Sequence, residues 1–200
     1  MEKIKDYNLL DKYQRFMVTR TDHFYLCDHD FTELRNSYIW LPRGSDFLGL
    51  CDRHIVCSNQ HIMKVLNILP PLVRTPKKYL FQKPWRLPTW INPESLTLRR
   101  WKEEGIDHLV RRFERMMFLV AEPTDITRWS TPKHEIASGE GKGLGVKYFC
   151  ETKKAKEVCQ SPLVIKRSNV TFLYHSDVSR RKEEKTPEEL ESECDDVLHA

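Results

Sequence analysis

The residues of this chain best suited to chemistry are charged side chains placed beside short apolar runs. The first set is Thr19-Arg20-Thr21-Asp22, which closes the run Arg15 to Val18. A carboxylate at the carboxyl end of a buried strand is placed to hold a hard divalent ion. Mn²⁺ and Mg²⁺ take oxygen ligands and usually bind together with substrate phosphates. Arg20 can face the same phosphates. The plainer alternative is a strand end with a solvated Asp–Arg pair. The second set is Gly49-Leu50-Cys51-Asp52-Arg53-His54. Asp52 suits a general base that takes a proton from an attacking hydroxyl; His54 suits a ligand, a phosphate contact or a partner of Asp52, and Arg53 a phosphate contact. A turn Asp with an exposed Arg is the alternative. The third is Thr127-Arg128-Trp129. Such an Arg-Trp pair can clasp an anion and stack on a sugar, or be a structural Trp beside a surface Arg.

Two further stretches invite a chemical reading and support it less. Asp28-His29-Asp30 has the look of a metal triplet. It is a short pattern in an expected loop, and chance produces it often. Gly139 to Gly145 is glycine-rich but lacks the Gly-Lys-Ser/Thr ending of a phosphate loop. A flexible loop on the acceptor side is the better expectation.

The elements that must position these residues follow from hydrophobic spacing and punctuation. A short helix is expected over 3–13 and a buried strand over 15–22, delivering Thr19 to Asp22 at its end. Strands follow at 38–41 and 54–57. Ser58 is an expected N-cap for a helix over 59–69, ended by Pro70-Pro71. Residues 70–92, with Trp85 and Trp90, read as an irregular crossing loop. Asn92-Pro93-Glu94 is a strong helix start, and Gly105 is the matching stop. A buried strand lies within 108–121, a loop over 130–145, a helix near 150–159 and an extended segment over 163–174. The pattern predicts an α/β domain over 1–178. A charged, solvated tail over 179–200 follows it.

Composition sets the outer limits. The 200 residues carry a net charge of +4 and are 40% hydrophobic. That balance permits phosphate binding without demanding nucleic acid. No apolar run approaches the length of a membrane span, and the charged N-terminus lacks the apolar region of a signal peptide. The expectation is a cytoplasmic chain whose six Cys are free thiols. None of the Cys spacings suits a structural zinc site. Asn169-Val170-Thr171 matches a glycosylation acceptor and reads as chance in an unexported chain.

Read together and in order, several segments resemble a known family. They are Arg15 to Tyr25, Tyr38 to Pro42, Gly49 to Cys57, Arg111 to Phe118, and Thr127 to Trp129. This ordered set is similar to the WavE-like polysaccharide-synthesis proteins. It also resembles the related N-terminal glycosyltransferase domain of a large chlorovirus capsid-glycosylating enzyme. The resemblance implies a GT-A-like (Rossmann-like) mixed sheet flanked by helices. It implies transfer of a sugar from a UDP- or GDP-linked donor to a glycan or other hydroxyl acceptor, assisted by Mn²⁺ or Mg²⁺. Asp22 then matches the acidic position that holds the metal–diphosphate. Arg20 stands where the usual acidic pair has its first Asp. Asp52 falls where the family's Asp-Arg-His segment lies, and its role as base is inferred from the residues themselves. With the residue readings above, the expected donor contacts are Arg20, Arg53, His54 and Arg128, and Trp129 is the expected sugar-stacking residue.

The metal carboxylate comes early in this chain compared with GT-A enzymes, which place strands for the nucleotide base ahead of it. The expectation is an N-terminally incomplete fold. Either a second chain completes the donor site, or the protein is a truncated, non-catalytic relative that binds a sugar, a nucleotide or a protein. A metal-dependent hydrolase built on Asp22, His23, Asp28 and His29 has no supporting ligand spacing.

Overall fold

The computed structural model describes residues 1–80, 92–125, 134–162, 164–167 and 194. Trp85, Trp90, Arg128 and Trp129 lie outside the described residues, as does all of the expected tail except Cys194. The chain packs as two compact units. The first comprises Met1–Arg20 and Asp30–Phe113; the second comprises Thr21–His29 and Glu114–His199. In chain order the elements are α1 (Glu2–Asp6), α2 (Leu9–Lys12), β1 (Arg15–Thr19), β2 (His23–Tyr25), β3 (Ile39–Pro42), β4 (His54–Ser58) and α3 (Asn59–Val65). Then come α4 (Leu69–Arg74), α5 (Pro76–Leu80), α6 (Pro93–Glu103), a 3₁₀ turn (Asp107–Leu109), β5 (Val110–Phe113) and β6 (Met117–Ala121). The last are β7 (His134–Ile136), β8 (Gly145–Val146), α7 (Phe149–Cys159) and β9 (Ile165–Arg167). No described helix is long and apolar enough to cross a membrane.

The first unit is built on a sheet of order β1-β4-β3-β5. β4 lies antiparallel to both β1 and β3, while β3 and β5 run parallel. Alternation along the strands sends Phe16, Val18, Ile39, Leu41, Ile55 and Cys57 to one face, where they join Ile62, Val65, Trp101 and Ile106 in the core. Each fully buried side chain of this size contributes about 1.5–3 kcal/mol. All five residues of β4 are buried. The segment after Asp30 is tied to the strands: Arg15 Nη2 donates to Leu34 O at 2.5 Å and Trp40 Nε1 to Arg35 O at 3.0 Å. Burial pushes the Cys57 thiol up to about 12, so it stays protonated.

Helix α6 forms as its sequence predicts. Asn92 Oδ1 accepts from Ser95 N at 2.7 Å, Pro93 opens the first turn, and Gly105 leaves the helix at φ +66°. Near its C-terminus, Glu103 is caught by Tyr79, Lys78 and Arg100. Tyr79 Oη donates at 2.7 Å and Lys78 Nζ lies at 3.0 Å. Burial pushes the Glu103 carboxyl up, but hydrogen bonds from Tyr79, Lys78 and Arg100 outweigh it and bring it down to about 2. A lowered carboxylate stabilises the fold above its unfolded value near 4.5, and that contribution is lost as pH falls toward about 2. With the side chain 25% exposed, solvent screening leaves a contribution of the order of 2 kcal/mol. Glu103→Gln should therefore lower stability by about that amount at pH 7. The gap to wild type should close below pH 3; equal stability of the two proteins at pH 7 would make the network decorative.

The second unit carries a sheet of order β2-β6-β8-β7-β9, in which every described pairing is antiparallel. Phe118, Ile136, Val146 and Ala155 form its core. Arg115 and Glu151 pair at 3.1 Å with both side chains buried. Two disulfides staple it: Cys27–Cys159 and Cys150–Cys194.

Several expectations change. The helix over 3–13 is two helices, because Asn8 between them takes a left-handed backbone at φ +52°. The strand over 15–22 stops at Thr19, and Asp22 lies in the turn before β2. Ser58 precedes α3 without a side-chain cap bond. Pro70 and Pro71 occupy the first turn of α4 instead of ending a helix, since the first helical positions need no N–H donors. The stretch over 130–145 contributes β7 and β8, joined by a glycine turn. Gly141 is required there: a Cβ would stand 2.6 Å from the Phe24 ring. Four of the six cysteines are paired rather than free. The partners are 132 and 44 residues apart, so only folding brings their Cα atoms to 5.6 and 5.0 Å. Cys194 is buried and bonded to Cys150, which ties that point of the expected tail to the second unit. Disulfides persist in oxidising surroundings, and the cytoplasmic location stays an expectation only.

Candidate functional site

The first unit gathers most of the predicted charged residues at one corner of its sheet. In the antiparallel register Thr19 faces His54, so the carboxyl end of β1 meets the amino end of β4. Arg20 N donates to Arg53 O at 3.2 Å and extends this pairing by one step. Asp52 stands just ahead of β4. The loop before it ends at Gly49-Leu50, where Leu50 N donates to Glu94 O at 3.0 Å. That bond docks the loop on the first turn of α6. Gly49 has no alternative here, because an added Cβ would fall 2.0 Å from Glu94 O. The helix start thus brings a second carboxylate to Asp52.

The result is a cluster of Asp52, Glu94, Arg53 and Arg20. Arg53 Nη2 lies 3.7 Å from Glu94 Oε1, with both side chains nearly buried. The Arg53 guanidinium also covers the Phe47 ring, 5.1 Å from its centroid. Burial pushes the Asp52 carboxyl up, and the positive charges of Arg53 and Arg20, with its own backbone N–H, offset this only in part. Burial also raises Glu94. Its backbone N–H opposes that, the charge of Asp52 adds to it, and Arg53 and Arg20 pull it down. Two carboxylates in one desolvated place bind protons more tightly than either would in water. A carboxylate of raised basicity is what general-base chemistry near neutral pH uses.

The other predicted residues have distinct places. His54 is fully buried, with Nδ1 3.1 Å from Thr19 Oγ1 and its ring edge-on to Phe113 at 5.6 Å. Its contacts join β1 to β4 and to β5, and it presents no surface to a phosphate. Asp22 belongs to the second unit, apart from Asp52 in the division of the chain. Its carbonyl accepts from Val120 N at 3.0 Å, and its Oδ2 pairs with Lys147 Nζ at 3.0 Å. Asp30 closes a turn instead of a metal triplet, accepting from Thr32 N at 2.8 Å and Thr32 Oγ1 at 2.9 Å. Among the described residues no three His, Cys, Asp or Glu gather as a metal site. One carboxylate does suit a divalent ion that arrives on a diphosphate, because such ions keep most of their shell as water and phosphate oxygen. Asp22 is such a single carboxylate, and in this structure its Oδ2 faces the Lys147 ammonium.

Glu94 is the residue the sequence reading passed over. The signal was present: Asn92-Pro93-Glu94 was legible as a helix start, but its Glu was given no role. Lys147 was missed too, in a stretch with no pattern around it.

No protein-family model matches the chain, and neither the curated proteins nor the solved structures contain a match.

Proposed function

We propose that this protein transfers a sugar from a nucleotide-sugar donor to a hydroxyl acceptor, on a GT-A-like scaffold. The single observation that carries the reading is Asp52: a partly buried carboxylate of raised basicity, in a cluster with Glu94 and the positive charges of Arg53 and Arg20. In the reaction Asp52 takes the acceptor's hydroxyl proton. The hydroxyl oxygen forms its bond to the anomeric carbon while the bond from that carbon to the diphosphate oxygen breaks. The electron pair leaves with the diphosphate. The resemblance assigns the divalent ion, which when bound would neutralise a diphosphate, to Asp22 on the second unit. Arg20 supplies positive charge on the first unit. Arg53 is committed to Glu94 and acts on Asp52 through its charge rather than on a donor.

A non-catalytic sugar- or nucleotide-binding relative is the second reading, favoured by Asp22 already having a cation partner in Lys147.

The test is calorimetric. UDP and GDP should bind more tightly with Mn²⁺ than without it. Lys147→Ala should strengthen the Mn²⁺-dependent binding about fivefold, the equivalent of a partly exposed ion pair of ~1 kcal/mol. Equal nucleotide affinity with and without Mn²⁺ removes the metal role. No nucleotide binding under either condition favours the second reading.

A further inference from the structure

The loop that rims the Asp52 cluster holds its backbone in an unusual state. Gly44, Ser45, Phe47 and Leu48 have φ of 76°, 60°, 43° and 69°. Left-handed backbone suits glycine, and for other residues it is strained. Ser45, Phe47 and Leu48 persist in it because both ends of the loop are tied. Asp46 accepts from Gly49 N through its carbonyl at 2.7 Å and from Cys51 N through Oδ1 at 2.8 Å. Its Oδ2 accepts from Arg112 Nη2 at 2.7 Å. Asn92 Nδ2 donates to Phe47 O at 2.6 Å, and Leu50 docks on Glu94.

This clamp holds apolar side chains outward. Leu48 is 83% exposed and Phe47 is 42% exposed. Folding by itself favours neither the strained backbone nor the exposure, since burying a Leu or Phe is stabilising. Strain of this kind collects where a ligand is gripped. The chemistry beside the two residues narrows the ligand. Phe47 touches Arg53, which pairs with Glu94, next to Asp52. The formal charges of Arg20, Arg53, Asp52 and Glu94 cancel. That balance suits an uncharged ligand carrying many hydroxyls better than an anion or an amine. A pyranose ring has such hydroxyls on its rim and an apolar CH face for an aromatic ring.

We infer that Phe47 and Leu48 form a platform for the CH face of a pyranose, whose hydroxyls reach the Asp52–Glu94 carboxylates. This deepens the proposed transfer by naming its acceptor as a sugar, and it rests on that reading.

The experiment follows the Leu48 methyl signals of isotope-labelled protein during titration with methyl pyranosides of gluco, galacto, manno and rhamno configuration. At least one should shift them saturably. Phe47→Gly should weaken that binding about tenfold, and Leu48→Gly should also weaken it, through an outlying methyl signal. Glycine relieves the left-handed backbone, so neither variant should melt more than about 2 °C below wild type. Silent Leu48 methyls overturn the platform, as does unchanged affinity in Phe47→Gly. A large melting loss in both variants would make the residues structural and overturns it equally. Nucleotide binding by calorimetry scores the transferase reading separately: its survival with silent Leu48 methyls removes the platform alone.

Discussion

Asp52→Asn is expected to cut turnover about a hundredfold or more, the usual worth of a positioned base, while leaving Mn²⁺-dependent nucleotide binding intact. The substitution keeps the side chain's size and removes its basicity. In the wild type the rate should fall with acidification at a pH above the ordinary range of an aspartate, because burial raises the carboxyl of Asp52 and a base works only when deprotonated. That limb should vanish in Asp52→Asn. Stability supplies the control. A carboxyl raised in the folded state contributes stability that is present below its unfolded value of 3.8 and is lost as pH rises through the raised value. At neutral pH the ionised Asp52 therefore costs stability, and Asp52→Asn should melt no lower than wild type. Turnover within threefold of wild type would make Asp52 structural. Lost nucleotide binding in a folded Asp52→Asn protein would move it from the acceptor to the phosphate.

Reduction of the disulfides should loosen one unit and spare the other. Both bridges lie in the second unit, and the first has only the buried thiols Cys51 and Cys57. Cys27–Cys159 spans 132 residues. A free loop of that length would give about 5 kcal/mol of stabilisation. Most of the enclosed chain folds as the first unit, however, and its entropy is already lost. About 2–4 kcal/mol for the bridges is the better figure. Amide exchange in β6, β8 and α7 should then accelerate roughly 30- to 1,000-fold under reductant, while β3 and β4 keep their protection. The oxidised protein should show no fast thiol titration, because Cys51 and Cys57 are both buried and the Cys57 thiol is raised to about 12. Uniform acceleration across both units, or none in the second, would refute this partition.

Local chemistry was legible without coordinates. Asn92-Pro93 with Gly105 marked α6 because a cap acceptor, a fixed φ and a left-handed stop act within a few residues. β3 and β4 were legible because buried strands are apolar runs. The break at Asn8 was not, since a single left-handed residue leaves the apolar spacing on either side intact. Nor was the sheet order. Strand direction depends on where a chain returns, and the alternation of strands and helices reads the same for the antiparallel β1–β4 pair as for a parallel one.

The candidate site divides the same way. Asp52, Arg53 and Arg20 were identified from their types and their place at the ends of apolar runs, and the sequence alone determines that they adjoin the strands. What they do there was decided by tertiary contacts. The approach of Gly49 to α6 brings Glu94 to Asp52 from a position 42 residues away, and packing puts His54 inside the sheet instead of on the site. Lys147 meets Asp22 across 125 residues, and the cysteines find partners across 132 and 44. Charge pairing, desolvation and disulfide geometry act over a few ångströms in space, and a linear pattern carries no record of which distant residues folding will bring within that range.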